Sequence, residues 1–399
     1  MNPSTPGWID KFGSLVKEDG KTFKSFESLY YRLRDVGFIY GMNLETTIYF
    51  DEDNAWSEDE LAKINLITAL YNVYLIEGDE KNYKNFINKV AVFYNLLNAE
   101  DNVVIDRIPL KIYSETSIKL EKLFHDRVSI DDSIISKTFN KILTNSLLNV
   151  DVLAFRKFIS GETNIIQHAK RLENIIINLT YHTLNSKEEK TKYDEQLVKL
   201  FKSSISYNLK DERVFDGSYR NELNLYFDKY EQKYFLDLAC LAAWDDNTLE
   251  YKESEFIYGI GKDLQFDYDG ITESLNYVEN FFEVHKNNLE VLRESNPVKQ
   301  LYDNSSRLVS KLIKRNGKRL YKEIIESKEL LLLLTKSTTK ELTPEEKKKI
   351  RDQLLDIFKT VPSLAIFALP GGAILLPLFI KYIPKLLPSA FDDNRVEED

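Results

Sequence analysis

The chain has 399 residues, of which 43% are hydrophobic and 30% charged, and carries a formal net charge of −10. That balance excludes a disordered chain and leaves enough apolar material for two or three domains. One cysteine, Cys240, excludes an intramolecular disulfide and suits a reducing compartment.

The first residues, MNPSTPGWIDKFG, have neither a basic stretch nor an apolar run, so no cleaved signal peptide is expected there. Apolar residues at three- and four-residue spacing predict helices over 22–40 and 58–77. Ser57 followed by Glu60 fits a capping box at the start of the second of these. The same spacing predicts helices over 84–98, 132–159 and 166–182. Only GMNLETTIYF (41–50) and NVVIDRIPLKIY (102–113) have modest strand character, and neither supports a large sheet. The expected fold is therefore mainly α, built from multi-helix bundles. No tandem repeat or low-complexity linker is present. The natural breaks fall near 185–195 and 296–306, and Cys240 in LDLACLAAW reads as core.

Catalytic patterns are absent from the sequence. His125, His168, His182 and His285 have no metal-binding spacing. Neither a GxSxG nor a phosphate-binding GxxxxGK[ST] occurs, and Gly259-Ile260-Gly261-Lys262 lacks the upstream glycine of the latter. The reading is a non-enzyme with no cofactor. Acidic stretches at 51–61 and around Gly270 imitate calcium loops but lack ligands at the first or closing positions.

Within 234–282, the turn Asp245-Asp246-Asn247-Thr248-Leu249 precedes Glu253. This arrangement resembles the TerB-like helical module of tellurite-resistance and stress proteins, over about 195–290. Asp245, Asp246 and Glu253 offer oxygen ligands for a divalent cation. The same acids also serve as an ordinary turn and helix start, where the dipole favours negative charge.

Charge is unevenly spread. Residues 301–391 hold 17 Lys and Arg against 9 Asp and Glu, whereas residues 1–300 hold 36 against 50. An acidic body thus leads into a basic neck carrying Arg307, Lys311, Lys314, Arg315, Lys318, Arg319 and Lys322. Leu308, Val309, Leu312 and Ile313 give the neck an apolar side. A basic amphipathic helix of this kind reads as a contact for anionic lipid. A plain solvated face and an RNA or ribosome contact are the other readings. No DNA partner is expected.

After the neck, Val361 to Ile380 is an uncharged apolar run, and Pro362, Pro370, Pro377, Pro384 and Pro388 punctuate it and the stretch that follows. Twenty residues at about 1.5 Å each match a bilayer core of roughly 30 Å. Internal prolines oppose a single straight helix. Gly371 and Gly372 after Pro370 would allow a hairpin instead. The run is either embedded in a membrane, spanning or re-entrant, or buried as a helical hairpin in protein. The basic residues before it favour a cytoplasmic body, and Lys381 and Lys385 would lie near an interface.

The order Val361-Pro362, Pro370, Leu375-Leu376-Pro377, Lys381, Pro384 and Leu387-Pro388-Ser389-Ala390-Phe391 resembles the membrane segment of the leucine-zipper/EF-hand transmembrane (LETM) family. The lead-in IRDQLLDIFKT is similar too, so the resemblance covers about 340–391. Within that family, the chain looks like the bacterial LETM-related biofilm-associated proteins. The resemblance implies an inner-membrane protein linked to cation/proton exchange and ribosome binding. Ala373 stands where animal members carry an acidic residue.

These readings give an N-terminal helical domain (1–190), a TerB-like domain (191–298), a basic neck (299–360), a LETM-like segment (361–391) and an acidic tail (392–399). The leading expectation is a membrane-associated protein at the inner face of the cytoplasmic membrane, acting structurally or as a regulator in envelope or biofilm physiology. Cation transport by a homo-oligomer of the apolar segments is one alternative. A soluble cytoplasmic helical scaffold is the other.

Overall fold

The computed structural model describes residues 1–19, 22–50, 56–79, 81–98, 113–128, 148–186, 190, 195, 198–199, 218–243, 251–285, 309–310, 313, 316–360, 364 and 376–386. These are mainly helical, and no strand occurs among them. The helices are α1 (Trp8–Asp19), α2 (Phe26–Asp35), α3 (Glu58–Glu77), α4 (Tyr83–Asn98), α5 (Tyr113–Val128), α6 (Leu148–Ile159) and α7 (Ile165–Ser186). Further along come α8 (Lys229–Ala243), α9 (Tyr251–Asp263), α10 (Tyr268–His285), α11 (Lys328–Thr339), α12 (Pro344–Thr360) and α13 (Leu376–Leu386). The chain divides into two compact units, the first made of Met1–Ile134, Lys141–Glu173 and Phe227–Phe235, the second of Ile135–Asn140, Asn174–Tyr226 and Leu236–Asp399.

In the first unit, α3 is the central element, packed on α2, α4, α5 and α6. Its start is the capping box expected from sequence. Ser57 Oγ accepts from Glu60 N at 3.3 Å, and Glu60 Oε2 accepts from Ser57 N at 2.9 Å. From Ala62 to Tyr74 every residue is buried, which is how a helix surrounded by others reads. Four of those residues are polar or charged, and three are tied to neighbouring loops. Lys63 Nζ lies 3.4 Å from Pro3 O, and Asn72 Oδ1 accepts from Phe23 N. Asn65 Oδ1 accepts from both Thr47 N and Thr47 Oγ1 at 2.8 Å.

That last contact corrects the strand character expected for 41–50. The segment is irregular, and side chains satisfy its backbone where a second strand would have done so. Asn65 Nδ2 donates to Asn43 Oδ1 and Glu45 O, while Arg32 donates to Thr46 O and Thr47 O. The helix expected over 22–40 is likewise shorter. It stops at Asp35 because Gly37 (φ 82°) and Gly41 (φ 74°) bracket a 3-10 turn, Phe38–Tyr40, in a left-handed conformation glycine adopts freely. Helices expected over 84–98 and 166–182 are α4 and α7. Of 132–159, only α6 falls within the described residues, as does Tyr113 of 102–113.

Two polar networks cross this unit. Arg127 and Asp151 are a sealed ion pair, and the Tyr94 hydroxyl donates to the same carboxylate. The second gathers at the start of α8, where Asp228 Oδ1 accepts from Tyr230 N and Glu231 N while Glu231 Oε2 accepts from Asp228 N. Arg156 pairs with Asp228 (2.6 Å) and Glu77 (2.7 Å) and lies over the Phe26 ring at 4.6 Å. Lys157 reaches Asp228 at 2.9 Å, and His168 Nε2 sits 2.7 Å from Glu231. Burial pushes the Asp228 carboxyl up, but the Lys157 hydrogen bond and the charges of Lys157 and Arg156 outweigh it and hold it below its usual value.

In the second unit, α9 and α10 pack closely because Gly261 has no side chain. A Cβ there would come within 2.4 Å of Ile271. Gln265 (φ 64°) closes α9, with Phe266 N donating to Gly261 O. Cys240 on α8 is buried, as expected of core.

Candidate functional site

The candidate site is the C-terminal part of the second unit, where the basic neck precedes the apolar run. In helical residues 316–326, Leu320 and Ile324 are fully buried, in phase with buried Val309 and Ile313. Lys318, Arg319 and Lys322 are exposed on the other side. An exposed pair of Lys322 with Glu326 at 3.9 Å consumes little of that charge. The remaining predicted contacts, Arg307, Lys311, Lys314 and Arg315, lie outside the described residues.

Ser327 interrupts the helix and caps the next one, with its Oγ accepting from Leu330 N at 3.3 Å. Leu330 and Leu334 of α11 are fully buried, while Leu332 is 62% exposed. Helix α12 opens on another reciprocal box. Thr343 Oγ1 accepts from Glu346 N at 3.3 Å, and Glu346 Oε2 accepts from Thr343 N at 3.0 Å. Pro344 occupies the first helical position, where its missing N–H costs nothing.

Helices α11 and α12 are clamped by side chains. Lys336 pairs with Glu346 at 2.6 Å and Lys349 with Glu329 at 2.6 Å. Gln353 donates to Glu329 at 3.0 Å and accepts from Ser327 at 2.9 Å. In each pair a later residue of α12 meets an earlier one of α11, so the two run antiparallel. The Lys349 hydrogen bond and charge hold Glu329 below the usual carboxylate range, and the Lys336 hydrogen bond does the same for Glu346. Sequence periodicity does not reveal these pairs. The Thr343–Glu346 box, by contrast, joins residues three apart and carries a local sequence signal.

Helix α13 contains the described end of the apolar run. Leu376, Leu378, Phe379, Ile380 and Ile383 are buried against protein, with α13 packed on α11. Phe379 meets Phe358 of α12 edge to face, ring centroids 4.7 Å apart. Pro377 falls in the first turn, where proline is tolerated, and Lys381 is exposed. Pro384 lies in the last turn, its side chain outside the described residues, as are Pro362, Pro370, Gly371, Gly372 and Pro388. At eleven residues, α13 is about 16 Å long, roughly half a bilayer core. Among the described residues, no helix is long and apolar enough to cross a membrane.

With that geometry in place, comparison with protein families finds one match of consequence. Residues 342–399 match the family described as LETM1-like, RBD. The C-terminal segment is LETM-like. The match begins at Leu342, just before the Thr343 cap, and so takes in α12, the apolar run and the tail. No curated protein and no solved structure matches the chain.

The acidic turn of the TerB-like resemblance falls outside the described residues. Asp245 and Asp246 lie outside the described residues, as does the Glu253 side chain on α9. No group of three or more His, Cys, Asp or Glu is placed to hold a metal ion among the described residues.

Proposed function

We propose that this chain is a non-catalytic docking protein, whose LETM-like segment and basic neck hold the helical body at an anionic membrane surface. The observation that carries this reading is the division of the neck helix. Leu320 and Ile324 anchor it to the protein, and Lys318, Arg319 and Lys322 are exposed on the other side. Each basic residue near an anionic leaflet contributes about 1 kcal/mol. Burial of Leu376, Phe379 and Ile383 against protein favours a peripheral contact by the neck over insertion of α13. In this reading the protein acts structurally or as a regulator at the envelope.

Flotation with vesicles tests it. The intact chain binds vesicles containing phosphatidylglycerol and not pure phosphatidylcholine, and salt weakens the binding. The triple variant Lys318→Glu, Arg319→Glu, Lys322→Glu loses at least about tenfold in affinity. Equal binding by the variant sinks the proposal.

A second reading has its own support, since the matched family description carries RBD and the LETM resemblance implies ribosome binding. Exposed Lys348 and half-buried Lys347 on α12 lie within the match. Sedimentation with purified bacterial ribosomes separates the two readings. A ribosome contact is lost in Lys347→Glu, Lys348→Glu and survives the neck variant, whereas a lipid contact shows the opposite pattern.

A further inference from the structure

A pocket of about 400 Å³ opens in the first unit, far in sequence from the LETM-like segment and unused by the function proposed above. That volume lies within the range of small-molecule sites, roughly 300–1,000 Å³. It forms where the ends of α3 and α6 meet one face of α4. Asn88 and Lys89 each stand about one helical turn before Val92 on that face, while Phe86, Val90 and Phe93 are buried in the core.

The pocket has three chemically distinct parts. Its floor is apolar, made by Phe158 and Ile159 at the end of α6 with Val92. One pole is negative. Asp79 stands just beyond the end of α3. The other pole is positive, the Lys89 ammonium 5.8 Å from the centroid of the Phe158 ring. Among the described residues, neither Asp79 nor Lys89 makes an ion pair, with the other or with anything else, and the Asn88 amide makes no side-chain hydrogen bond. Two opposite charges and an amide therefore line one concave surface without an ion pair between them. Gly78, which caps α3, cannot carry a side chain, because a Cβ would lie 2.5 Å from Tyr74 O. The wall of the pocket at that point stays bare.

A ligand that satisfies all three parts has a protonated amine, a carboxylate and an apolar body. From this arrangement we infer that the pocket binds a free apolar α-amino acid. The ammonium group sits at Asp79, the carboxylate at Lys89 with Asn88, and the side chain on Phe158 and Val92. A simple organic anion would meet the negative pole unpaired, and a simple amine would meet Lys89 unpaired.

Isothermal titration of the full chain with L-phenylalanine and L-leucine tests this, with benzoate and 2-phenylethylamine as single-charge analogues. The expected result is saturable binding of at least one amino acid, with both analogues weaker by at least about tenfold. Lys89→Met weakens the amino acid by a similar factor and leaves 2-phenylethylamine no weaker. Asp79→Asn weakens the amino acid and leaves benzoate no weaker. Both positions are exposed, so neither change disturbs folding. Val92→Trp fills the pocket and removes binding altogether. Absence of saturable binding by either amino acid overturns the inference, as does binding that the Lys89 and Asp79 variants leave unchanged.

Discussion

Arg127 meets Asp151 through two hydrogen bonds, Nε to Oδ2 at 3.0 Å and Nη2 to Oδ1 at 2.9 Å, with both side chains sealed from solvent. Tyr94 Oη donates to the same Oδ2 at 2.9 Å, so three helices, α4, α5 and α6, converge on one carboxylate. Desolvation pushes the Tyr94 hydroxyl well above its usual range, helped by the Asp151 charge, so it stays a donor at any physiological pH. Breaking one partner of such a pair leaves the other charge buried alone, at a cost of about 3–5 kcal/mol. Asp151→Ala is expected to destabilise the first unit by that amount in urea unfolding. The double variant Arg127→Met, Asp151→Leu removes both charges and is expected to recover most of the loss.

The Asp228 network gives a prediction with a definite pH direction. Its carboxyl lies below its ordinary value of 3.8 in the folded chain. As pH falls, the unfolded chain therefore takes up this proton first. The stability it contributes is fully present above that ordinary value and is lost as pH drops through the lower folded one. Asp228→Asn is expected to cost about 2 kcal/mol at neutral pH through its charged hydrogen bonds. It also flattens the fall in melting temperature below about pH 4. A variant whose acid profile matches the parent contradicts this.

Thr343 supplies the cap for α12 at the first turn of the LETM-like match. Thr343→Ala removes one reciprocal hydrogen bond and is expected to cost about 1 kcal/mol. Hydrogen exchange at the Glu346 amide reports it directly, with faster exchange there and little change on α3.

The Phe358–Phe379 contact allows a test of whether α13 stays in place at a membrane. In a Cys240→Ala background, Phe358→Cys and Phe379→Cys oxidise to pin α13 to α12. Peripheral docking through Lys318, Arg319 and Lys322 predicts equal vesicle binding before and after reduction. Loss of binding in the oxidised form, restored by reductant, shows instead that α13 leaves its packed position.

What was legible in the sequence was local. The Ser57–Glu60 box depends on residues three apart, and the proline order of the LETM-like segment depends on spacing alone. Of the apolar side read for the neck, Val309 and Ile313 are buried, and Leu320 and Ile324, which the reading did not name, continue the same period. The alternation in GMNLETTIYF misled because it encodes a loop fastened by Asn65, and nothing within 41–50 announces that partner. Arg127 with Asp151, Glu329 with Lys349 and Phe358 with Phe379 were beyond reach. Each pairs residues on different helices, and only tertiary packing brings them together. The pocket was hidden for a related reason. Lys89 and Asp79 look like ordinary surface charges until α6 supplies Phe158 beneath them.

Synthesis from the N-terminus imposes an order on the first unit. Arg156, Lys157 and His168 leave the ribosome well before Asp228 and Glu231, the acids they meet in the folded unit. Until the start of α8 has been made, none of the three can make these contacts, and among the described residues Arg156 pairs with Glu77. Phe227–Phe235 is therefore the late segment that completes the network around Arg156 and Lys157.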